Sequence, residues 1–206
     1  MFRLYLEIYK KNIKIFLLPA VFSVIFLTVV LFFITDPINC TAAYAARICQ
    51  EYFTWVGRFL LAPVFMPEQR DNIKETILSK TMPTQTMYLI RLIQALAALV
   101  LFTAGLILSL SLLGGEIEFK RYFVHTFAIA LLLGGLGFMG TRFSGNIGVG
   151  YIIAFGFYII QMFLPDEIIE IVPYIYIFTL KNETSGIFLF YIYSFILIII
   201  PFFKKH

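Results

Sequence analysis

Charge is scarce in this sequence. Only 14% of its 206 residues are Asp, Glu, Lys or Arg, where a soluble domain has roughly 25% and needs them to cover its surface. Histidine is nearly missing too: His125 sits alone in an apolar run and His206 is the last residue, so neither has the neighbours that a zinc site or an acid–base pair requires. Cysteine is limited to Cys40 and Cys49, and two thiols with no histidine close by do not make a metal site. No GxxxxGK[ST] occurs, which excludes the phosphate cradle of a P-loop ATPase from this chain. No fixed-period repeat is present, which argues against a solenoid.

What is there is apolar side chain: 61% of the residues are hydrophobic and the mean hydropathy is +0.91. A span needs roughly 20 mostly apolar residues to cross a hydrocarbon core of ~30 Å. Six runs meet or approach that length, at 15–35, 44–65, 87–113, 122–141, 147–164 and 187–203. The expected fold is a single all-α membrane domain over 1–206, with no room for a separate soluble domain. The net charge of +4 does not signal nucleic acid, because its Lys and Arg residues flank apolar runs instead of forming one stripe.

With six spans, Arg3, Lys10, Lys11, Lys14, Arg70, Lys74, Lys80, Arg91, Arg142, Lys204 and Lys205 fall on one side. Retention of Lys and Arg makes that side cytoplasmic, and both termini with it. The opposite side receives Arg47, Lys120, Arg121 and Lys181 among a larger number of carboxylates. The second run is the weakest, since Arg58 lies near its middle and Arg47 and Glu51 near its outer end; a five-span arrangement without it is the rival. Three segments fit no plain span. Residues 1–14 alternate Ile8, Tyr9 and Ile13 with lysines and predict an interfacial amphipathic helix. Residues 67–80 open on Pro67 and set Ile73, Ile77 and Leu78 against a charged face, predicting a short cytoplasmic helix. Residues 166–185 are too apolar for an exposed loop and predict an outer re-entrant or interfacial hairpin.

Gly135-Leu136-Gly137-Phe138-Met139-Gly140 spells GxGxxG, but inside a span and without a preceding strand it reads as a helix-packing face together with Gly134. Cys40 and Cys49 share the outer connection between the first two runs and form either a disulfide or two free thiols. Arg58 is costly at membrane depth and should point to a protein interior or a watery path, or else pair with Glu51 or snorkel. Gln94 and Gln161 are weaker cases, explained by interhelical hydrogen bonds.

The layout of a basic interfacial helix, a first span, and a second span running into Glu68, Glu75-Thr76-Ile77-Leu78, Pro83 and Tyr88 to Arg91 resembles the permease subunits of type 2 ATP-binding-cassette (ABC) exporters. The link at 142–146 and the outer segment at 166–185 are similar to that family as well. The resemblance implies that 67–80 is a coupling helix whose Glu68, Arg70, Lys74 and Glu75 contact a separate ABC ATPase subunit, and that this partner holds ATP and Mg. It implies a homodimer or heterodimer of permeases meeting through their first, second and fifth spans, with Arg58 near the central path. The Phe, Tyr and Ile content of the spans suits an amphipathic cargo, a peptide by preference, with a lipid or drug-like molecule as the alternatives. No cofactor and no catalytic residue is expected in the chain itself. A non-transporting structural or regulatory membrane protein is the alternative.

Overall fold

A computed structural model describes residues 13–38, 40–69, 84–115, 117–165 and 185–203, which are helical with no strand among them. A single π turn, Ile13–Leu17, leads into α1, Leu18–Thr35. Its 18 residues reach about 27 Å at 1.5 Å per residue. Pro19 is tolerated in the first turn, where its missing N–H has no helical partner to lose. At the other end Asp36 adopts a left-handed conformation, φ 39°, and Pro37 prevents the helix from resuming.

The second run is helical but broken. It comprises α2, Ala42–Arg47, a π turn at Ile48–Tyr52, α3, Trp55–Leu61, and a 3-10 segment at Ala62–Gln69. Phe53 donates its N–H five residues back to the Ile48 carbonyl at 3.1 Å, whereas Val56 donates to Phe53 at 3.0 Å, so the regular ladder is interrupted there. Pro63 and Pro67 remove two further donors, and the chain tightens into 3-10 geometry. Up to Gln69 the chain continues the second run in 3-10 geometry, and the coupling helix expected at 67–80 lies otherwise outside the described residues.

The remaining helices follow their apolar runs closely. They are α4, Thr84–Leu112, α5, Phe119–Ser144, α6, Ile147–Met162, and α7, Ser185–Phe203. Between α5 and α6, Gly145 takes φ +69° and donates to the Thr141 carbonyl, and the Asn146 side chain then accepts the Gly148 N–H at 2.8 Å to cap α6. Three helices, at Leu18–Thr35, Gln85–Leu112 and Phe119–Ser144, are long and apolar enough to cross a membrane, and Ile147–Met162 and Ile187–Phe203 are shorter apolar helices. The interfacial helix expected at 1–14 and the outer hairpin at 166–185 lie almost wholly outside the described residues, as does most of 67–80.

The bundle forms around α5. Two-thirds of its most apolar window is buried (67%), against 39% for α4 and 22% for α1. Small residues make this central position sterically feasible. A Cβ on Gly57 would collide with the Ala130 carbonyl, one on Gly134 would lie 2.7 Å from the Gly57 oxygen, and Gly137, Gly140 and Gly150 meet where α5 folds back on α6. The glycines of 134–140 are therefore a helix-packing face, buried in the interior of α5. Outward, Phe22, Phe26, Phe33 and Ile34 of α1 are exposed, a surface suited to lipid and not to water.

Helix ends gather at two poles of the bundle. Phe65, Tyr88, Phe138, Arg142, Pro201 and Phe202 come together at one pole, where the Arg142 guanidinium lies 5.4 Å from both the Phe65 and Tyr88 ring centres. At the other pole the Tyr44 hydroxyl donates to the Thr35 carbonyl at 2.5 Å, and that of Tyr122 to Ala42 at 2.8 Å. Within the helices, Thr28, Thr35, Thr54, Thr103, Thr141 and Ser194 each turn their hydroxyl onto the carbonyl four residues back. This satisfies a polar group without water or a second helix.

Candidate functional site

Arg58 is placed by the close approach of α3 to α5. Gly57 turns its bare Cα toward Ala130, and the neighbouring Trp55 and Arg58 then face α6. There the Arg58 guanidinium carbon lies 4.8 Å from the Trp55 ring centre, 4.9 Å from Tyr158 and 5.5 Å from Phe155. Trp55 meets Phe155 and Tyr158 edge-on, with centroids 5.4 Å and 5.7 Å apart. The cage is pinned by the Tyr158 hydroxyl, which donates at 2.6 Å to the carbonyl of Glu51, beside the break in the second run.

Arg58 is 3% exposed, and its Nε and Nη2 have no hydrogen-bond partner among the described residues. The pairing with Glu51 weighed from the sequence is not made: the Glu51 carboxylate accepts from Arg47 Nε at 2.8 Å, an exposed pair at the outer end. Such a pair contributes little to stability. Arg58 instead lines a groove of about 610 Å³ between α3 and α6, together with Phe59, Tyr151, Ile152, Gly156 and Ile159. This cation beside an apolar groove has electrostatic support from ring faces, while its Nε and Nη2 lack acceptors among the described residues.

The other residues singled out from the sequence do not join this group. Gln94 and Gln161 are buried on α4 and α6, and neither lines the groove. Cys40 and Cys49 are buried free thiols, and burial pushes the Cys40 thiol above its ordinary range. Of Glu68 only the backbone is described, within the 3-10 segment, and Arg70, Lys74 and Glu75 lie outside the described residues. No group of three or more metal-ligating side chains occurs among the described residues.

Two features escaped the sequence reading. Trp55, Phe155 and Tyr158 form the cage, and their only local signal is the helical spacing of Trp55 to Arg58 and of Phe155 to Tyr158. Arg91, read as a marker of sidedness, is itself buried at 3% exposure and donates through Nη1 to the Val64 carbonyl at 3.2 Å. No protein-family model, curated protein or solved structure matches this chain.

Proposed function

We propose that this chain is the membrane-spanning permease subunit of an ATP-driven exporter of the type 2 ABC class, crossing the membrane six times with both termini cytoplasmic. The observation that carries this reading is the place of the Arg58 groove. It opens between α3 and α6, which belong to the second and fifth runs, two of the three that the resemblance assigns to the permease seam, with Arg58 near the central path. The alternation of helix ends between two poles supports the six-pass arrangement, with Arg142 at the pole that the positive residues assign to the cytoplasm.

In this reading residues 67–80 couple to a separate ATPase subunit, in which ATP and Mg are held. Closure of the ATPase pair pushes the two coupling helices, and the permease dimer switches between inward-open and outward-open packings around an amphipathic cargo. The irregular second run suits such a part, because π and 3-10 turns offer alternative hydrogen-bond registers at small cost.

The test is affinity purification of the chain from native membranes in mild detergent, with bound proteins identified and ATPase activity assayed. A P-loop ATPase should co-purify and be lost on Glu68→Lys with Glu75→Lys. Preparations free of any ATPase in several detergents would leave a membrane protein without the proposed transport role.

A further inference from the structure

The second run is held by different neighbours on either side of its break. Its outer part, at α2, is tied by the Tyr44 hydroxyl to the Thr35 carbonyl and by the Tyr122 hydroxyl to the Ala42 carbonyl. Its inner part, α3, is interlocked with α5 where Gly57 meets Ala130. Between the two the ladder changes register, since Phe53 bonds back to Ile48 and Val56 back to Phe53. Irregular turns inside a helix are where helices bend and where hinges form.

A contact from α6 reaches this break. The Tyr158 hydroxyl donates at 2.6 Å to the Glu51 carbonyl on the outer side, while the Tyr158 ring lies 4.9 Å from the Arg58 guanidinium carbon and edge-on to Trp55 on the inner side. One side chain of α6 thus spans the break. The arrangement it holds is costly for the inner part: Trp55 Nε1 and Arg58 Nε and Nη2 are buried and find no hydrogen-bond partner among the described residues. Ring faces stabilise the charge without replacing those acceptors.

We propose that residues 48–54 are a hinge in the second run and that the Tyr158 hydroxyl is the catch that sets it. With the bond made, α6 fixes the direction of α2 relative to α3. With the bond broken, the outer part turns on the hinge while α3 keeps its seat on α5, because single hydroxyl bonds yield more readily than backbones in contact at Gly57. A movement of α6 is thereby passed to the outer part of the second run and to the rings around Arg58. The device stands on this geometry alone; its use in transport rests on the permease reading.

Trp55 is the sole tryptophan of the chain, so isotope labelling of tryptophan nitrogen in the purified full chain gives one backbone and one indole NMR signal beside the hinge. Tyr158→Phe keeps the ring and removes the catch. Both signals should shift or split, and hydrogen exchange at 48–54 should accelerate at least about fivefold, the factor for one lost hydrogen bond. Exchange at 57–61 and through α5 should stay at the wild-type rate. Tyr191→Phe is the control, because that hydroxyl donates at 2.9 Å to the Val124 carbonyl within unbroken α5; it should leave the Trp55 signals and 48–54 unchanged. Cys49 is a buried thiol in the π turn. In a Cys40→Ser background its maleimide labelling should accelerate in Tyr158→Phe by more than the change in global unfolding accounts for.

Wild-type exchange at 48–54 in Tyr158→Phe would overturn the proposal. So would an acceleration spread evenly over α3 and α6, which would make the bond a packing contact, or an equal response to Tyr191→Phe. Should Tyr158→Phe lose its unfolding transition, the wild type decides: 48–54 should exchange faster than 57–61, and the reverse order overturns the hinge. These measurements require no ATPase, so their failure is distinguishable from failure of the co-purification that tests the permease reading.

Discussion

The Val64 carbonyl is taken by Arg91, at 3.2 Å, where a 3-10 turn would have assigned it to the N–H of Pro67. Proline has no N–H, so the acceptor is left open by the backbone and closed by a side chain 27 positions away. The same pole is held by Arg142, whose Nε donates to the Pro201 carbonyl at 3.4 Å in the last described turn of α7. Two arginines that mark sidedness in the sequence thus also tie helix ends together.

Arg91→Met should lower the stability of the detergent-purified protein by about 1–3 kcal/mol, because a buried carbonyl loses its donor. Pro67→Ala supplies an N–H to the same carbonyl, and in that background the Arg91 substitution should cost less by about 1 kcal/mol. The four proteins of this cycle can be compared by thermal or denaturant unfolding. Equal losses in both backgrounds would refute the link between the two residues.

Gly57→Ala and Gly105→Ala should behave oppositely. A methyl at Gly57 runs into the Ala130 carbonyl and forces α3 away from α5, at a cost of about 1–3 kcal/mol. Gly105 faces open space in the interior of α4, so alanine there should gain about 0.5–1 kcal/mol through helix propensity. Unfolding midpoints of the two variants, measured side by side, decide the matter.

Tyr122→Phe should cost about 1 kcal/mol, the net value of one hydrogen bond, by releasing the Ala42 carbonyl at the start of the second run. Hydrogen exchange at the amides of 42–47 should rise in the variant. Unchanged exchange there would show that the bond does not hold α2 in place.

Cys40 and Cys49 should label slowly with a maleimide in the folded protein and rapidly after denaturation, since both thiols are buried. For Cys40 the sign of the pH effect follows from burial, which raises its pKa and so lowers its thiolate fraction at neutral pH. Its labelling rate should still be climbing at pH values where a free cysteine has levelled off. Two thiols titrated under denaturing, non-reducing conditions confirm that no disulfide joins them.

Much of the helix plan was legible. The runs at 15–35, 87–113, 122–141, 147–164 and 187–203 correspond within a few residues to described helices, because unbroken apolar length is a local property of the chain. The glycines of 134–140 were also readable as a packing face, since no strand precedes them. The second run was flagged by its charges, yet the position of its π turn was not, because that depends on which carbonyls Phe53 and Val56 find.

By itself the sequence determined a helical, lipid-compatible architecture for the described residues and the position of Arg58 within an apolar run, for these depend only on composition and the spacing of residues along the chain. Tertiary structure alone decided that α5 is the centre, that Arg47 and not Arg58 pairs with Glu51, and that Arg58 faces three aromatic rings and an open groove. The physical reason is that a side chain's partners are set by which backbones can approach. Here the contacts of Gly57 with Ala130 and of Gly137 with Gly150 bring α3 and α6 against the same central helix from positions far apart in the chain.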